Sequence, residues 1–508
     1  MWASQEVYDG ESHYDTWVPA DFILEGKDQI RGWFNSLLCS AMVSTGKKNY
    51  DNCYMHGWVL RDKVKMSKSK GTAFLPEDLI NGTLDQIKSK KSYSQIKGIE
   101  TFRFYCIGAT QPGRDLNFSA KEYADTYKTI NTIWNVYVYA NEKFGLAKFD
   151  PSKVKIDEKK LSKLDKWILS RTYSTIEKIT ELADKYELPW IPSELRELIV
   201  SDISRWYIML NREKLDIYSD DPNKLQIMAV LYKVLFNVLL ILAPINPMLS
   251  EELFLKMFKP HLKSMGLEES ESIHLQNWPE TDKTKIDAKL EEEMRFVRDL
   301  IESIRALKEE NKIRLRWPNK RIIIEPKEDM PDIGFPEIIK QIGNVKELEI
   351  KKTVKSADNL RKIEHKYCNI YLDVSVDDEL LNERVVNDLI RNIQFSRKKN
   401  DYKVGETISL AIGTSTDYLK GYIETKSESI SDKVSAKKFE VSFEELNEEK
   451  EKVFAKLYIC PNRDCSASLK ENINKRLKKG AEVQCPYCNT KLEEANLKTI
   501  TYNYKREN

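Results

Sequence analysis

An apolar stretch, Tyr54-Met55-His56-Gly57-Trp58-Val59-Leu60, runs into a basic loop, Lys65-Met66-Ser67-Lys68-Ser69, that leads to Gly71. The apolar run, closed by a loop, reads as a strand. In open α/β sheets, ligands settle at the carboxyl ends of strands. A loop placed there with two lysines and two serines is equipped to hold phosphates. Lysine brings a compact charge on a flexible stem, and hydroxyls with loop amides complete a cradle. Five of the ten residues from Arg61 to Lys70 are Lys or Arg. Such a run taken alone is more often a solvated face, so the strand before it carries the functional reading.

The chain of 508 residues has room for three or four domains, and 41% hydrophobic residues suffice for packed cores. Its 82 basic and 80 acidic side chains nearly cancel, so any nucleic-acid surface must come from local clustering. Met1-Trp2-Ala3-Ser4-Gln5 does not have the pattern of a secretory signal. The apolar run Ile227 to Ala243 is broken by Lys233 and Asn237, and it is short of the ~20 residues a membrane span needs. A buried bundle helix is expected there, with no membrane partner. Eight cysteines, four of them scattered, fit a reducing cytoplasm better than a disulfide scaffold.

Patterning divides the chain into four parts. Residues 1–125 read as α/β. A strand is expected at Phe22-Ile23-Leu24-Glu25-Gly26. Asp28 is expected to cap a helix carrying Ile30, Trp33, Phe34, Leu37 and Leu38. Residues 88–97 look like an insertion or linker. Residues 126–285 show long helical periods and read as a bundle. Residues 286–455 mix helices and strands, twice in the order helix, turn, strand. Residues 456–508 hold four cysteines and are expected to form their own unit.

Glu25, Gly26, Asp28 and Gln29 fall at a strand-to-helix turn, where carboxylates and an amide can bond a ribose, an α-amino group or an adenine edge. Gly26 lets a ligand approach the backbone. Trp33 is expected either to wall an apolar pocket or to join the core. His56, alone in a strand, reads as structural. Cys460, Cys465, Cys485 and Cys488 form two pairs with four and two residues between members and nineteen between pairs. This spacing, with Pro461 and Pro486 after the first cysteine of each pair, points to a structural, tetrahedral Zn²⁺. Between the pairs lie Lys470, Lys475, Arg476, Lys478 and Lys479, which can contact phosphates. Arg205 and Arg212 sit in an expected bundle helix, with Trp206 as core.

The pentapeptide Lys65-Met66-Ser67-Lys68-Ser69 resembles the class I aminoacyl-tRNA synthetase signature without a mismatch. The stretch from Pro19 to Phe34, with Asp28-Gln29 and Arg31-Gly32-Trp33-Phe34, is similar to the isoleucyl branch. Further similarity lies at Ser204-Arg205-Trp206-Tyr207, at Leu242-Ala243-Pro244-Ile245-Asn246-Pro247 with Ser250-Glu251-Glu252, and at Arg314-Leu315-Arg316-Trp317-Pro318. The resemblance implies a multidomain α/β plus α protein. Its parts are the second half of a Rossmann-type catalytic domain, a helical-bundle anticodon-binding domain, a small α+β domain and a zinc-ribbon-like module. It implies isoleucine, ATP, Mg²⁺ and tRNA(Ile) as ligands. Lys68, assisted by Lys65, is implied as the catalytic charge on the phosphates, with Met66, Ser67 and Ser69 around it. Glu25, Gly26, Asp28, Gln29 and Trp33 are implied to hold the aminoacyl-adenylate. Arg205, Arg212, Lys475 and Arg476 are implied tRNA contacts.

One departure is large. The His-Ile-Gly-His type motif of this family does not occur here, nor do the first half of its nucleotide fold and its editing insertion. A second polypeptide or segment carrying that motif and the editing domain is therefore expected as a partner. The competing readings are a non-catalytic tRNA-binding fragment and a synthetase for valine or methionine.

Overall fold

The computed structural model describes residues 18–61, 63–66, 73–83, 94–216, 219–262, 270–403, 406–414, 417–447, 453–469 and 472–507, with the side chains of 417 and 418 left aside. Ser67, Lys68, Ser69, Gly71, Gly405, Lys470 and residues 88–93 lie outside the described residues. The chain divides into two compact units, Met1–Glu291 and Glu292–Asn508.

In the first unit, β1 (Ala20–Gly26) and β2 (Tyr50–His56) pair in parallel, with Glu25 opposite Met55 and Gly26 opposite His56. Parallel neighbours need a crossover, and helix α1 (Trp33–Thr45) provides it. The strand expected over residues 54–60 is two strands. β2 stops at His56, and β3 (Val59–Arg61) joins a second sheet with β4 (Val64–Lys65) and β5 (Leu116–Asn117), in the order β4-β3-β5. Gly57 is the reason for the break. A Cβ there would lie 2.3 Å from the carbonyl oxygen of Arg114, so only glycine lets the chain pass that backbone.

Asp28 does not cap α1. It lies within a 3-10 turn, Lys27–Arg31, and the Gln29 side-chain oxygen accepts the Trp33 N–H at 3.1 Å instead. Trp33 is not a core residue, being 44% exposed. Leu24, Ile30, Met42, Val43, Val59 and Val64 are also exposed. Among the described residues, β1 has β2 as its one strand neighbour.

Helix α2 (Gln95–Gly108) joins this α/β part to a bundle of α3 (Ala120–Leu146), α4 (Lys163–Asp184), a π-helical stretch Glu197–Ile208, α5 (Lys224–Leu242) and α6 (Pro247–Met257). α3 starts at Ser119, whose hydroxyl accepts the Glu122 N–H. α4 starts at a reciprocal capping box between Ser162 and Asp165. α5 is long and apolar enough to cross a membrane, and most of it is buried inside the bundle. Trp206 is core, as expected.

The bundle is anchored to α2 by one buried carboxylate. Glu100 accepts hydrogen bonds from the Asn246 amide at 2.6 Å and from the Met248 and Leu249 N–H groups at 2.8 and 3.2 Å. It thereby caps α6 at its positive end. Arg103 adds a bond to the Ile245 carbonyl at 3.2 Å. The stretch Leu242–Pro247 is thus the seam between the α/β part and the bundle.

In the second unit, α7 (Ala288–Glu310) buries Met294, Val297, Ile301 and Ile304, the stripe expected from sequence. A four-stranded sheet follows, ordered β7-β6-β9-β8, from β6 (Asn319–Pro326), β7 (Val345–Ile350), β8 (Leu360–Glu364) and β9 (Cys368–Asp373). Helix α8 (Asp378–Lys399) then covers a five-stranded sheet ordered β11-β10-β14-β12-β13. Its members are β10 (Ile408–Thr414), β11 (Ala436–Ser442), β12 (Val453–Ile459), β13 (Ser468–Leu469) and β14 (Lys498–Arg506). β14 runs between β10 and β12, so the segment expected to stand alone from residue 456 shares this sheet.

Replacing Glu100 by Ala leaves the Met248 and Leu249 N–H groups without their acceptor, while the Asn246 amide keeps only its bond to the Glu100 carbonyl at 3.0 Å. Denaturant unfolding of the full chain should show a loss of about 2–3 kcal/mol. A loss under about 0.5 kcal/mol, the range of neutral surface changes, would contradict the seam.

Candidate active site and metal centre

The turn after β1 gathers the expected ligand-binding residues. Glu25 is exposed, and the Gly26 N–H points toward its Oε2 at 3.4 Å. Gly26 is buried, and a Cβ there would meet Asp28 Oδ1 at 2.7 Å. Gln29 donates to Asp28 Oδ2 at 3.1 Å while capping α1, so these two side chains are held as a pair. The Asp28 carboxylate stays open to solvent. His56 stands opposite Gly26 with its Nδ1 on the Gly57 carbonyl at 2.9 Å, a local bond that fits a structural role.

The second part of the site is the β3–β4 hairpin that leads to the signature loop. Lys63 turns the chain at φ 64°, and its N–H donates to Asn117 Oδ1 at 2.9 Å. Lys65 closes β4, and its ammonium sits 3.4 Å from the centre of the Trp58 ring. An exposed cation–π contact of this kind contributes roughly 0.5–1 kcal/mol, enough to bias the side chain without locking it. Met66 follows, half-buried. The implied contacts Ser67, Lys68 and Ser69 lie outside the described residues.

A residue not singled out from sequence joins the two parts. The Asp115 carboxylate accepts Lys27 Nζ at 2.5 Å and the Trp58 N–H at 2.8 Å on the same oxygen. The Lys27 hydrogen bond, with that of Trp58, holds the Asp115 carboxyl below the usual carboxylate range. Lys27 belongs to the turn and Trp58 carries Lys65, so one carboxylate positions both. The Gln111-Pro112-Gly113 turn marks a loop here in sequence, but nothing local reveals which partners Asp115 reaches.

Of the expected RNA contacts, Arg205 and Arg212 are exposed on the bundle. Lys475 and Arg476 are exposed on the short helix Asn472–Lys478 in the second unit.

The four cysteines converge. The sulfur atoms of Cys460, Cys465, Cys485 and Cys488 all lie within 4.8 Å of one another. Two of the separations are 3.6 Å (Cys460–Cys488) and 3.7 Å (Cys465–Cys485). Four thiolates placed tetrahedrally at ~2.3 Å from one ion stand ~3.8 Å apart, so the set fits a metal ion such as zinc. Two turns present it. The Cys460 N–H bonds Ala467 O at 2.9 Å, and the Cys485 N–H bonds Thr490 O at 2.9 Å. A hydrogen bond from Cys465 pulls the Cys460 thiol down to about 6, and the same bond pushes Cys465 upward. Trp317, Tyr458, Leu469, Val483 and Leu492 pack around the cluster.

Beside it lies a second unforeseen carboxylate. Buried Asp388 of α8 receives Arg314 at 2.7 Å, Arg316, the Trp317 indole N–H at 3.3 Å and the Ser468 hydroxyl at 2.5 Å. An aspartate at a core position of an apolar helix stripe is the one sequence signal that pointed to it.

Residues 2–119 match the family model "tRNA synthetases class I (I, L, M and V)", and residues 165–324 match "Anticodon-binding domain of tRNA ligase". The chain thus carries class I aminoacyl-tRNA synthetase and anticodon-binding domains.

Within that class its relatives are isoleucine–tRNA ligases. The protein of that name from Pyrococcus abyssi is 36% identical over 65% of this chain and 29% of its own length. The one from Methanothrix thermoacetophila is 29% identical over 86% of this chain and 46% of its own. The one from Methanosarcina acetivorans is 31% identical over 84% and 39%. The chain therefore spans less than half the length of these relatives. A solved Agrobacterium radiobacter K84 LeuRS-tRNA-LeuAMS ternary complex aligns with TM-score 0.40 and 14% identity, over 57% of this chain and 33% of that one.

The cysteine geometry has a direct test. Metal analysis of freshly purified full chain should find about one equivalent of zinc, and a chelator should lower the unfolding temperature as it is removed. Less than about half an equivalent, with no chelator effect, would contradict the site.

Proposed function

We propose that this chain takes part in the ATP-dependent attachment of isoleucine to tRNA(Ile) through an isoleucyl-adenylate, in the cytoplasm. The observation that carries the reading is the Asp115 link, which sets the adenylate-type turn and the signature hairpin in one frame. In this reading, Glu25 holds the aminoacyl end of the adenylate. Asp28 and Gln29 hold the ribose or the amino group. Lys68 and Lys65 bring positive charge to the α-phosphate and the pyrophosphate leaving group. Such chemistry asks for charge placed where charge develops rather than for covalent help. Mg²⁺ supplies further neutralisation of the phosphates when bound. The zinc site is structural, because its four sulfurs leave no open ligand position.

The exposed apolar side chains around β1 and α1 support a further element of the reading. Parallel strands are ordinarily covered on both faces. A synthetase half with the His-Ile-Gly-His type motif and the editing domain, in the same or another polypeptide, completes the sheet and the site. Arg205 and Arg212 on the bundle, with Lys475 and Arg476, supply tRNA phosphate contacts.

The test is isoleucine-dependent ATP–pyrophosphate exchange in an assembly that contains the motif-bearing half. Exchange should appear, and Lys68→Ala should slow it by roughly 10²-fold or more, the scale of one lost oxyanion donor. Exchange with valine or methionine but not isoleucine would refute the amino acid. A complete assembly with no exchange would leave the tRNA-binding module as the better reading.

A further inference from the structure

Helix α8 is packed against the five-stranded sheet on one side; the opposite face is covered at Asp388 by the Arg314–Pro318 stretch and is bare over its last turns. Val385, Val386, Leu389, Ile390 and Ile393 are buried against the five-stranded sheet. Phe395 points away from that core and is 68% exposed, more than any other phenylalanine among the described residues. A helix end with its core already filled gains nothing in stability from a bare phenylalanine ring.

The surroundings of that ring are cationic. Arg391 lies four residues before it, and Lys398 and Lys399 lie three and four after it, so all share its face of the helix. Lys403 follows just beyond the helix end. All four are exposed, and among the described residues none makes an ion pair. The fifth cation of the segment, Arg397, is directed elsewhere and bonds the carbonyls of Val434 and Glu406. Between positions 391 and 403 the only carboxylate is Asp401. Gln394 donates to the Lys433 carbonyl at 3.0 Å, which places the exposed, unpaired Lys433, with Asp432 preceding it, at the border of this face.

A bare aromatic face ringed by unpaired cations suits a polyanion made of stacked rings. The geometry points to an RNA-binding platform on the C-terminal third of α8, where an unpaired base stacks on Phe395 and neighbouring phosphates meet Arg391, Lys398 and Lys399. Stacking on an aromatic ring is tolerant of base identity, and the cations track the backbone. A protein partner would need a broader apolar surface than one ring, and an acidic one would leave the ring unused. The platform lies outside residues 2–119 and 165–324, the two stretches with family matches. Its natural ligand, a single-stranded part of a tRNA, rests on the reading proposed above.

The experiment measures binding of the full chain to a tRNA(Ile) transcript and to a ten-nucleotide single-stranded RNA of unrelated sequence, across a salt series. Phe395→Ala should weaken binding of both RNAs by about tenfold, on the scale of one lost stacking contact. Phe395→Trp should restore it. Lys398→Gln with Lys399→Gln should reduce the slope of log affinity against log salt by about 1–2. Circular dichroism of each variant should match the parent, since no core contact is touched. Tight tRNA binding that ignores all three changes would overturn the platform while sparing the proposed function. Phe395-dependent binding of the short RNA without tRNA binding would support the platform and count against the proposed function. No binding of either RNA, or self-association in sedimentation that Phe395→Ala abolishes, would overturn the platform in favour of a protein interface.

Discussion

One carboxylate oxygen holds the candidate active site together. Asp115 receives an ammonium from the turn after β1 and a backbone N–H from Trp58, the residue just before β3. Both partners are half-exposed, so the charge attraction is screened and contributes little to global stability. Its value is geometric. The Trp58 N–H fixes where the hairpin starts, and the Trp58 ring then carries Lys65. A loop that must bring charge to a phosphate is useful only if its root is fixed relative to the rest of the ligand. The same logic recurs at Glu100, where one buried carboxylate sets the direction in which the bundle leaves the α/β part.

In the second unit the corresponding element is Asp388. Two arginines, an indole and a hydroxyl converge on it. The arginines and the tryptophan come from the turn after α7, and the hydroxyl comes from β13, next to the cysteine turns. Removing one partner from such a network leaves buried charge uncompensated, which costs far more than a surface pair. The Arg314–Pro318 stretch therefore serves as the mount on which the cysteine cluster and α8 are assembled. The cluster is no appendage, since β12 enters it and β14 leaves it within one sheet.

Local chemistry was legible in the sequence and long-range chemistry was not. Cysteine spacing pointed to the convergence of the four thiols, because four ligands around one ion allow few spacings. Helical periodicity gave α7 and the buried nature of α5. The apolar run 54–60 predicts one continuous strand, because a glycine in it does not announce the Arg114 backbone that passes it. Aspartate favours a cap, which points to Asp28, yet the glutamine beside it accepts the bond. The helical position of Trp33 allows a core place, and its exposure rules that place out. Asp115, Glu100 and Asp388 act on partners 57 to 149 residues away, and residue type alone cannot name such partners.

The most direct measurement is the single-turnover rate of isoleucyl-adenylate formation by a complete assembly carrying Asp115→Ala, with thermal unfolding followed in parallel. If that carboxylate sets the frame of the site, the rate falls by about 10- to 100-fold, the scale of an ångström-sized misplacement, while unfolding is unchanged. An unchanged rate would contradict the central role given to Asp115.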